Sequence, residues 1–426
     1  MNEEQQLTTE NLMQLVQEND AVLVDIRPPE AYNGWRLGGE KRGGHIPGAR
    51  SLPEKWTAYI DWIEIVRSKG IHPDSKVVVY GYTADSVDKV AGHFMKAGYK
   101  AVYVYNDFVG VYAAGNAPLQ SLPRYTMLVG ADWVRTLHET GSADGYDGTD
   151  AVICHCHYRN HADYAVGHIP GAVSLDTNSL ESPETWNRRS PEELAKALGE
   201  HGISAGSTVI LYGRFSYPKN EDEFPGSSAG HLGAIRCAFI MLYAGVRDVR
   251  ILNGGLQSWL DEGFPLETEE TPKRAVEYGD PVPGRPHLVI DTPEAKEYLA
   301  ASDKNLVSVR SWPEYIGKVS GYNYIEKKGR IPGSVFGNCG SDAYHMENYR
   351  NLDHTTREYH EIEALWKEAG ITPDKSNAFY CGTGWRGSEA FLNAYLMGWP
   401  DVSLYDGGWF EWSSDESNPY ETGEPG

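Results

Sequence analysis

Residues 44–49 read GHIPGA, residues 167–172 read GHIPGA again, and residues 329–334 read GRIPGS. A strand-like apolar run precedes each turn: Ala21–Ile26, Ala151–Cys154 and Leu306–Val309. A second repeated block follows, reading KAGYKAVYVYND from Lys96, YAGVRDVRILNGG from Tyr243 and LMGWPDVSLYDGG from Leu396. Within it a helix is expected to end at Gly98, Gly245 or Gly398, the residue type that favours a left-handed helix C-terminus. The β-branched and aromatic run after each glycine has the pattern of a buried strand. Two of the runs end in Gly-Gly and a tryptophan-bearing helix (GGLQSWLDEGFP, GGWFEWSSDESNP), whereas NDFVGVYAAGNAP keeps only the outline.

A further short strand lies upstream of each of those helices, at Val77–Tyr80, Val209–Tyr212 and Ala378–Tyr380. One α/β unit is therefore written three times, and internal repetition of this kind decides architecture before any local reading. Strands alternating with helices imply a parallel sheet with helices on both faces. In such sheets ligands bind beyond the carboxyl ends of the strands. The expected units are 1–124, 125–280 and 281–426, joined through the Pro-bearing stretches Gly115–Arg124 and Leu266–Pro286. The total of 426 residues agrees, at roughly 150 residues per domain.

Composition narrows the function. Lys and Arg number 38 against 60 Asp and Glu, a net charge of −22. Such a surface opposes phosphate neutralisation and so argues against nucleic-acid partners; an anionic membrane surface would repel it as well. The longest strongly apolar stretch, Cys237–Val246, is about half of what a bilayer crossing needs. MNEEQQLTTE at the N-terminus lacks the basic and apolar regions of a signal peptide, so a cytoplasmic location is expected unless a leader has been removed. The five cysteines (Cys154, Cys156, Cys237, Cys339, Cys381) are too few and too scattered for a disulfide scaffold, and a reducing compartment fits them best.

Counting back from the helix-ending glycines aligns the loops after the upstream strands. The third unit reads CGTGWRGS from Cys381, and the first reads GYTADSVD from Gly81, so Gly81 stands where the thiol would be. In the second unit Gly213 follows the strand, and the loop is enlarged (RFSYPKNEDEFPG and beyond) without a cysteine. Only one copy carries a nucleophile. Gly382, Gly384 and Gly387 let the backbone curl its N–H groups inward, and a helix starting near Ser388 would aim its positive end at the same point. Cys381 is the candidate nucleophile, and Arg386 adds a fixed positive charge suited to an oxyanion.

The pattern of D-x-R, GHIPGA, a strand running into Cys and a glycine-rich loop, and Gly-Gly-x-x-x-W resembles the rhodanese superfamily over essentially the whole chain. The resemblance implies three tandem rhodanese-like domains: 1–124 inactive, 125–280 inactive with an enlarged loop, and 281–426 catalytic. It also implies a sulfurtransferase. Cys381 would accept a sulfane sulfur from thiosulfate or 3-mercaptopyruvate and pass it from a persulfide to cyanide, a thiol or a protein. The loop Gly382, Thr383, Gly384, Trp385 and Arg386 would stabilise the anionic sulfur, and Arg310 with Arg386 would bind the donor. Ser308 replaces the aspartate that Asp25 supplies in the first unit, a departure next to Arg310. No organic cofactor is implied, because the cysteine itself carries the sulfur.

Two other readings stay open. One is a persulfide relay or scaffold loaded by a partner protein. The other is a cysteine phosphatase or arsenate reductase, which needs five residues between Cys and Arg, whereas this loop has one fewer. CHCHYRNH from Cys154 has zinc-compatible residue types, but strand alternation splits them between two faces, and no metal is expected. His45 and His168 read as turn residues. Cys339 lies in a long insertion that is the candidate substrate- or partner-facing loop.

Overall fold

The computed structural model describes residues 5–215 and 230–425. It contains three parallel sheets, and the chain divides into two compact units, residues 1–126 and 127–426.

The first unit holds β1 (Val22–Asp25), β2 (Arg50–Ser51), β3 (Lys76–Tyr80) and β4 (Ala101–Tyr105), in the order β2-β1-β3-β4. The central strands are Val-rich and closed to solvent, as parallel strands covered on both faces must be. Val77, Val79, Val24, Phe94 and Trp56 form the core on one side.

The second unit contains two five-stranded sheets. One is built from β5 (Leu128–Val129), β6 (Ala151–His157), β7 (Val173–Asp176), β8 (Thr208–Gly213) and β9 (Asp248–Leu252), ordered β5-β9-β8-β6-β7. The other uses β10 (Val289–Ile290), β11 (Lys304–Ser308), β12 (Val335–Phe336), β13 (Ser376–Tyr380) and β14 (Val402–Tyr405), ordered β10-β14-β13-β11-β12. The two orders are the same, and the first sheet matches them without its edge strand. There a single parallel bridge, Gln6 to Val104, stands in its place. The order reverses beside β3, β8 and β13, so the loops after these strands are the switch points where ligands bind.

The repeated turn has a common anchor. Tyr80 and Tyr212, near the ends of β3 and β8, accept from the backbone N–H of Ile46 and Ile169 at 3.1 and 2.8 Å. His45 stacks on Tyr32 and His168 on Tyr164, each pair of ring centroids 3.7 Å apart, so both histidines are turn residues. In the third copy Arg330 lies over Tyr315 instead.

The stretch Leu266–Pro286 is not a free linker. Glu267 bridges His168, Val276 N–H donates to Gly199, and Tyr278 accepts from Ala205, so it straps the second repeat. Beyond it, the helix Gly230–Ala244 packs on the helix Trp385–Leu396 through Phe239 and Phe391, whose rings meet edge to face at 4.8 Å. The enlarged loop of the second repeat falls mostly at 216–229, outside the described residues.

Candidate functional site

Cys381 follows β13 directly and is fully buried. Its carbonyl accepts from Trp409 N–H at 2.8 Å, and that of Gly382 accepts from Phe410 N–H at 2.9 Å. In a trans peptide the C=O and the next N–H point opposite ways, so the N–H groups of Gly382 and Thr383 face away from the helix Gly408–Ser414. Gly384 caps the following helix with φ +91°, a conformation that a side-chain-bearing residue resists. Gly382 is required for a different reason: a Cβ there would stand 2.3 Å from the Tyr322 ring. The helix begins at Trp385 and not near Ser388, so Trp385 and Arg386 belong to its first turn.

The two arginines depart from expectation. Arg386 is buried, and its Nη1 and Nη2 donate to Oε2 and Oε1 of Glu314 at 2.9 and 2.8 Å. Nη1 also donates to the Asp342 carbonyl at 3.2 Å, and Nη2 to the Tyr322 hydroxyl. Arg310 is buried too; it donates to the Gly329 carbonyl at 2.8 Å and to Glu314 Oε1 at 3.4 Å. The guanidinium of Arg310 thus sits in a structural network, and Glu314 offsets the local positive field expected from the pair. Burial alone would raise the Glu314 carboxyl, but Arg386 and Arg310 hold it down at about 2.

A pocket opens beside the loop, lined by Tyr158, Trp186, Tyr322, Tyr324, Thr383 and Trp385, among others. Its free volume is about 30 Å³, room for a water molecule and little more. Tyr158 meets Trp385 edge to face at 5.4 Å, and Trp186 stacks on Tyr324 at 4.5 Å. Ala343 and Tyr344 of the long insertion also line it, which is where that insertion bears on the site. Cys339 is buried 4.0 Å from Arg386 Nη1; burial pushes its thiol up to about 12, with Arg386 opposing and Cys381 adding to the rise.

Several contributors were not legible. Glu181, Trp186 and Arg236 come from the second repeat. The N-cap signature Ser311-x-x-Glu314, a capping box, was the available signal for Glu314. Arg236 is a lone charge in the otherwise apolar helix GHLGAIRCAFIMLYA, and a buried charge demands partners.

The CHCH segment is elsewhere. Cys154 and Cys156 point into the core, with Cys237 beside them. His157 and His161 both meet the Ser174 hydroxyl, at 2.8 and 3.1 Å, and burial pulls His157 down to about 4. Among the described residues no group of three or more His, Cys, Asp or Glu side chains is placed to hold a metal ion. Among the same residues, no helix is long and apolar enough to cross a membrane.

The rhodanese-like domain model matches residues 8–112, 147–262 and 291–415. The thiosulfate sulfurtransferase YnjE of Escherichia coli K12 is 40% identical over 420 residues, covering 97% of this chain and 92% of its own. The sulfur carrier protein TtuD of Thermus thermophilus is 31% identical over 312 residues, covering 70% of this chain and 97% of its own. Wild-type EanB superposes with a TM-score of 0.97 at 58% identity, covering 99% of this chain and 98% of that one. EanB has been solved with hercynine, with ergothioneine, and as a cysteine persulfide in a tetrahedral intermediate state with ergothioneine. In EanB the persulfide cysteine, a substituted tyrosine and a substituted threonine are spaced along the chain as Cys381, Tyr322 and Thr383 are here.

Three tandem α/β repeats with these matches define a rhodanese-superfamily fold. The chain belongs to the rhodanese superfamily and is a sulfurtransferase with three tandem rhodanese-like domains.

Proposed function

We propose that Cys381 carries a sulfane sulfur as a persulfide and passes it to a small imidazole betaine of the hercynine class. The observation that carries this reading is the aromatic pocket at the head of the Cys381 loop, walled by Tyr158, Trp186, Tyr322, Tyr324 and Trp385. Aromatic faces are the preferred surface for a quaternary ammonium group, and the likeness to hercynine-bound EanB supports the same acceptor. Thiosulfate or 3-mercaptopyruvate serves as donor: the Cys381 thiolate bonds to the outer sulfur, and sulfite or pyruvate departs. The persulfide's terminal sulfur then bonds to the ring carbon between the two nitrogens. That carbon loses its proton as the C=S bond forms, and the S–S bond breaks to return the thiolate. In this reading 281–426 is the sulfur-carrying domain, and 1–124 and 125–280 carry no sulfur. The free volume of about 30 Å³ is too small for the acceptor, so a lining side chain moves aside on binding, and Tyr344 of the long insertion is the one assigned to move.

Intact mass after incubation with each donor tests the first half. A gain of one sulfur, lost in Cys381→Ser, is expected; no gain with any donor would reject the persulfide. Incubation of the loaded protein with hercynine should yield ergothioneine. The second reading, transfer from thiosulfate to cyanide or a thiol, is favoured by the near full-length similarity to the Escherichia coli enzyme. Cyanide turnover without ergothioneine would select it.

A further inference from the structure

The acceptor pocket is walled by the third repeat on one side and by Tyr158, Trp186 and Leu232 of the second repeat on the other, and the fixing points lie in the second. Glu181 is fully buried, and the Trp385 indole N–H donates to both its oxygens at 3.0 Å. Arg236 Nε donates to Glu181 Oε2 at 3.1 Å. Its Nη2 donates to the Trp186 carbonyl at 2.8 Å and pairs with Asp406 Oδ1 at 2.6 Å. Trp186 holds φ +59°, a backbone conformation costly for a large side chain, so the bond to its carbonyl bears directly on whether that wall stays in place. Arg236 Nη1 is buried, has no hydrogen-bond partner among the described residues, and lies 3.1 Å from where a Gly384 Cβ would stand. Gly233, one turn earlier on the same helix face, gives the Trp385 ring its seat: a Cβ there would stand 3.4 Å from the ring.

We propose that Glu181 and Arg236 are positioning residues for sulfur transfer, holding Trp385 and Trp186 as the two walls of the acceptor pocket. The inference rests on Cys381 as sulfur carrier and adds that the second repeat, without a thiol of its own, sets the shape of the acceptor site. Arg236 is the shared element, since one guanidinium bonds the Trp186 carbonyl directly, holds the Trp385 wall through Glu181, and lies against Gly384 of the cysteine loop. Glu181 acts only through Trp385 and Arg236. The consequence is selectivity: a bulky acceptor that needs both walls depends on the pair, and a diatomic acceptor does not.

The test uses the full chain loaded with sulfur from thiosulfate, with cyanide as the small acceptor and hercynine and glutathione as bulky ones. Glu181→Ala should load sulfur on Cys381 as the wild type does. It should transfer to cyanide within about twofold and show a KM for the bulky acceptor raised tenfold or more. Glu181→Gln, whose amide oxygen can take both the indole and guanidinium hydrogen bonds at the Oε2 position, should restore that KM to within threefold. Arg236→Lys, which cannot reach both walls, should behave as Glu181→Ala does. An equal change for all acceptors, or none, overturns the proposal, as does failure of the Gln variant to rescue while remaining folded. If wild type ignores hercynine, the acceptor reading above fails alone, and the glutathione arm still decides the role of the pair.

Discussion

Glu314 and Arg386 face each other fork to fork, 72 residues apart in sequence, with paired N–H···O distances of 2.8 and 2.9 Å and no solvent at either side chain. The arginine that sequence reasoning assigned to a donor oxyanion therefore already has a carboxylate. Arg310 approaches the same carboxylate, and the Ser311 N–H and hydroxyl complete its shell at 2.9 and 2.7 Å. The pair fixes the first turn of the helix after the cysteine loop to the insertion-bearing side of the sheet.

Removing Glu314 leaves two buried guanidinium groups without their shared counter-ion. Breaking a buried pair from one side costs about 3–5 kcal/mol. Glu314→Ala should lower the urea midpoint of the transition that reports the 127–426 unit by a corresponding amount. Arg386→Lys, which keeps the charge but not the fork, should cost less than Glu314→Ala. Equal midpoints for Glu314→Ala and wild type would mean the pair contributes nothing.

Much of the architecture was legible because local signals agreed three times over. GHIPGA, the helix-ending glycines and the short apolar runs are all read within a few residues, and they mark one parallel sheet with flanking helices per repeat, while the strand orders come from the structure. The cysteine loop was legible for the same reason: thiol, glycines and arginine are contiguous. What surrounds the loop was not. Glu314 reaches Arg386 across 72 residues, and Glu181 reaches Trp385 across 204. The first contact is set by how the loops after β11 and β13 converge within the third repeat, the second by how the second repeat docks on the third, and no local period encodes either. The helix start moved from Ser388 to Trp385 because Gly384 supplies the left-handed cap itself.

Two buried carboxyls give opposite pH responses. Burial raises Glu181 to about 7, with Arg236, Trp385 and Arg236's other partner Asp406 around it, Tyr158 on the pocket side and Arg188 beyond Asp406. A carboxyl raised in the folded state favours folding while protonated, and that contribution disappears as pH climbs from the unfolded value through the folded one. Relative to Glu181→Gln, wild type should lose about 3 kcal/mol between pH 4.5 and 7 and nothing more above it. Glu314, held at about 2, stabilises above its unfolded value and loses a similar amount as pH falls from 4.5 to 2. Urea midpoints across pH, read as differences between variant and wild type, separate the two. A difference that is flat from pH 4.5 to 7 for Glu181→Gln would contradict the assignment.

Gly384→Ala meets two obstacles at once, a φ of +91° and the Arg236 guanidinium 3.1 Å from the new methyl. The backbone term alone is about 1–2 kcal/mol. The variant should fold with a lower midpoint, and its rate of sulfur loading at Cys381 should fall about tenfold or more, because shifts of an ångström at a reacting group are costly. Gly92→Ala, where nothing lies within 4 Å of the added methyl, is the control and should leave loading unchanged. Parallel behaviour of the two variants would show that Gly384 is not limiting.

Charge at a distance makes the last prediction. The chain carries −22, and thiosulfate and mercaptopyruvate are anions, so the long-range field opposes donor approach. Near the loop the field is weak, because Glu314 offsets one of the two arginines on its own side and Asp406 pairs with Arg236. Added salt screens the distant charges more than the buried ones, since the Debye length falls to about 8 Å at 0.15 M. The kcat/KM for thiosulfate should therefore rise by a factor of about two or more from low to physiological ionic strength. For cyanide, present mainly as neutral hydrogen cyanide at neutral pH, the acceptor step should respond less. A steep fall of donor kcat/KM with salt would instead mean that an accessible positive patch captures the anion, and the buried pairing of Arg386 with Glu314 would have to open during the donor step.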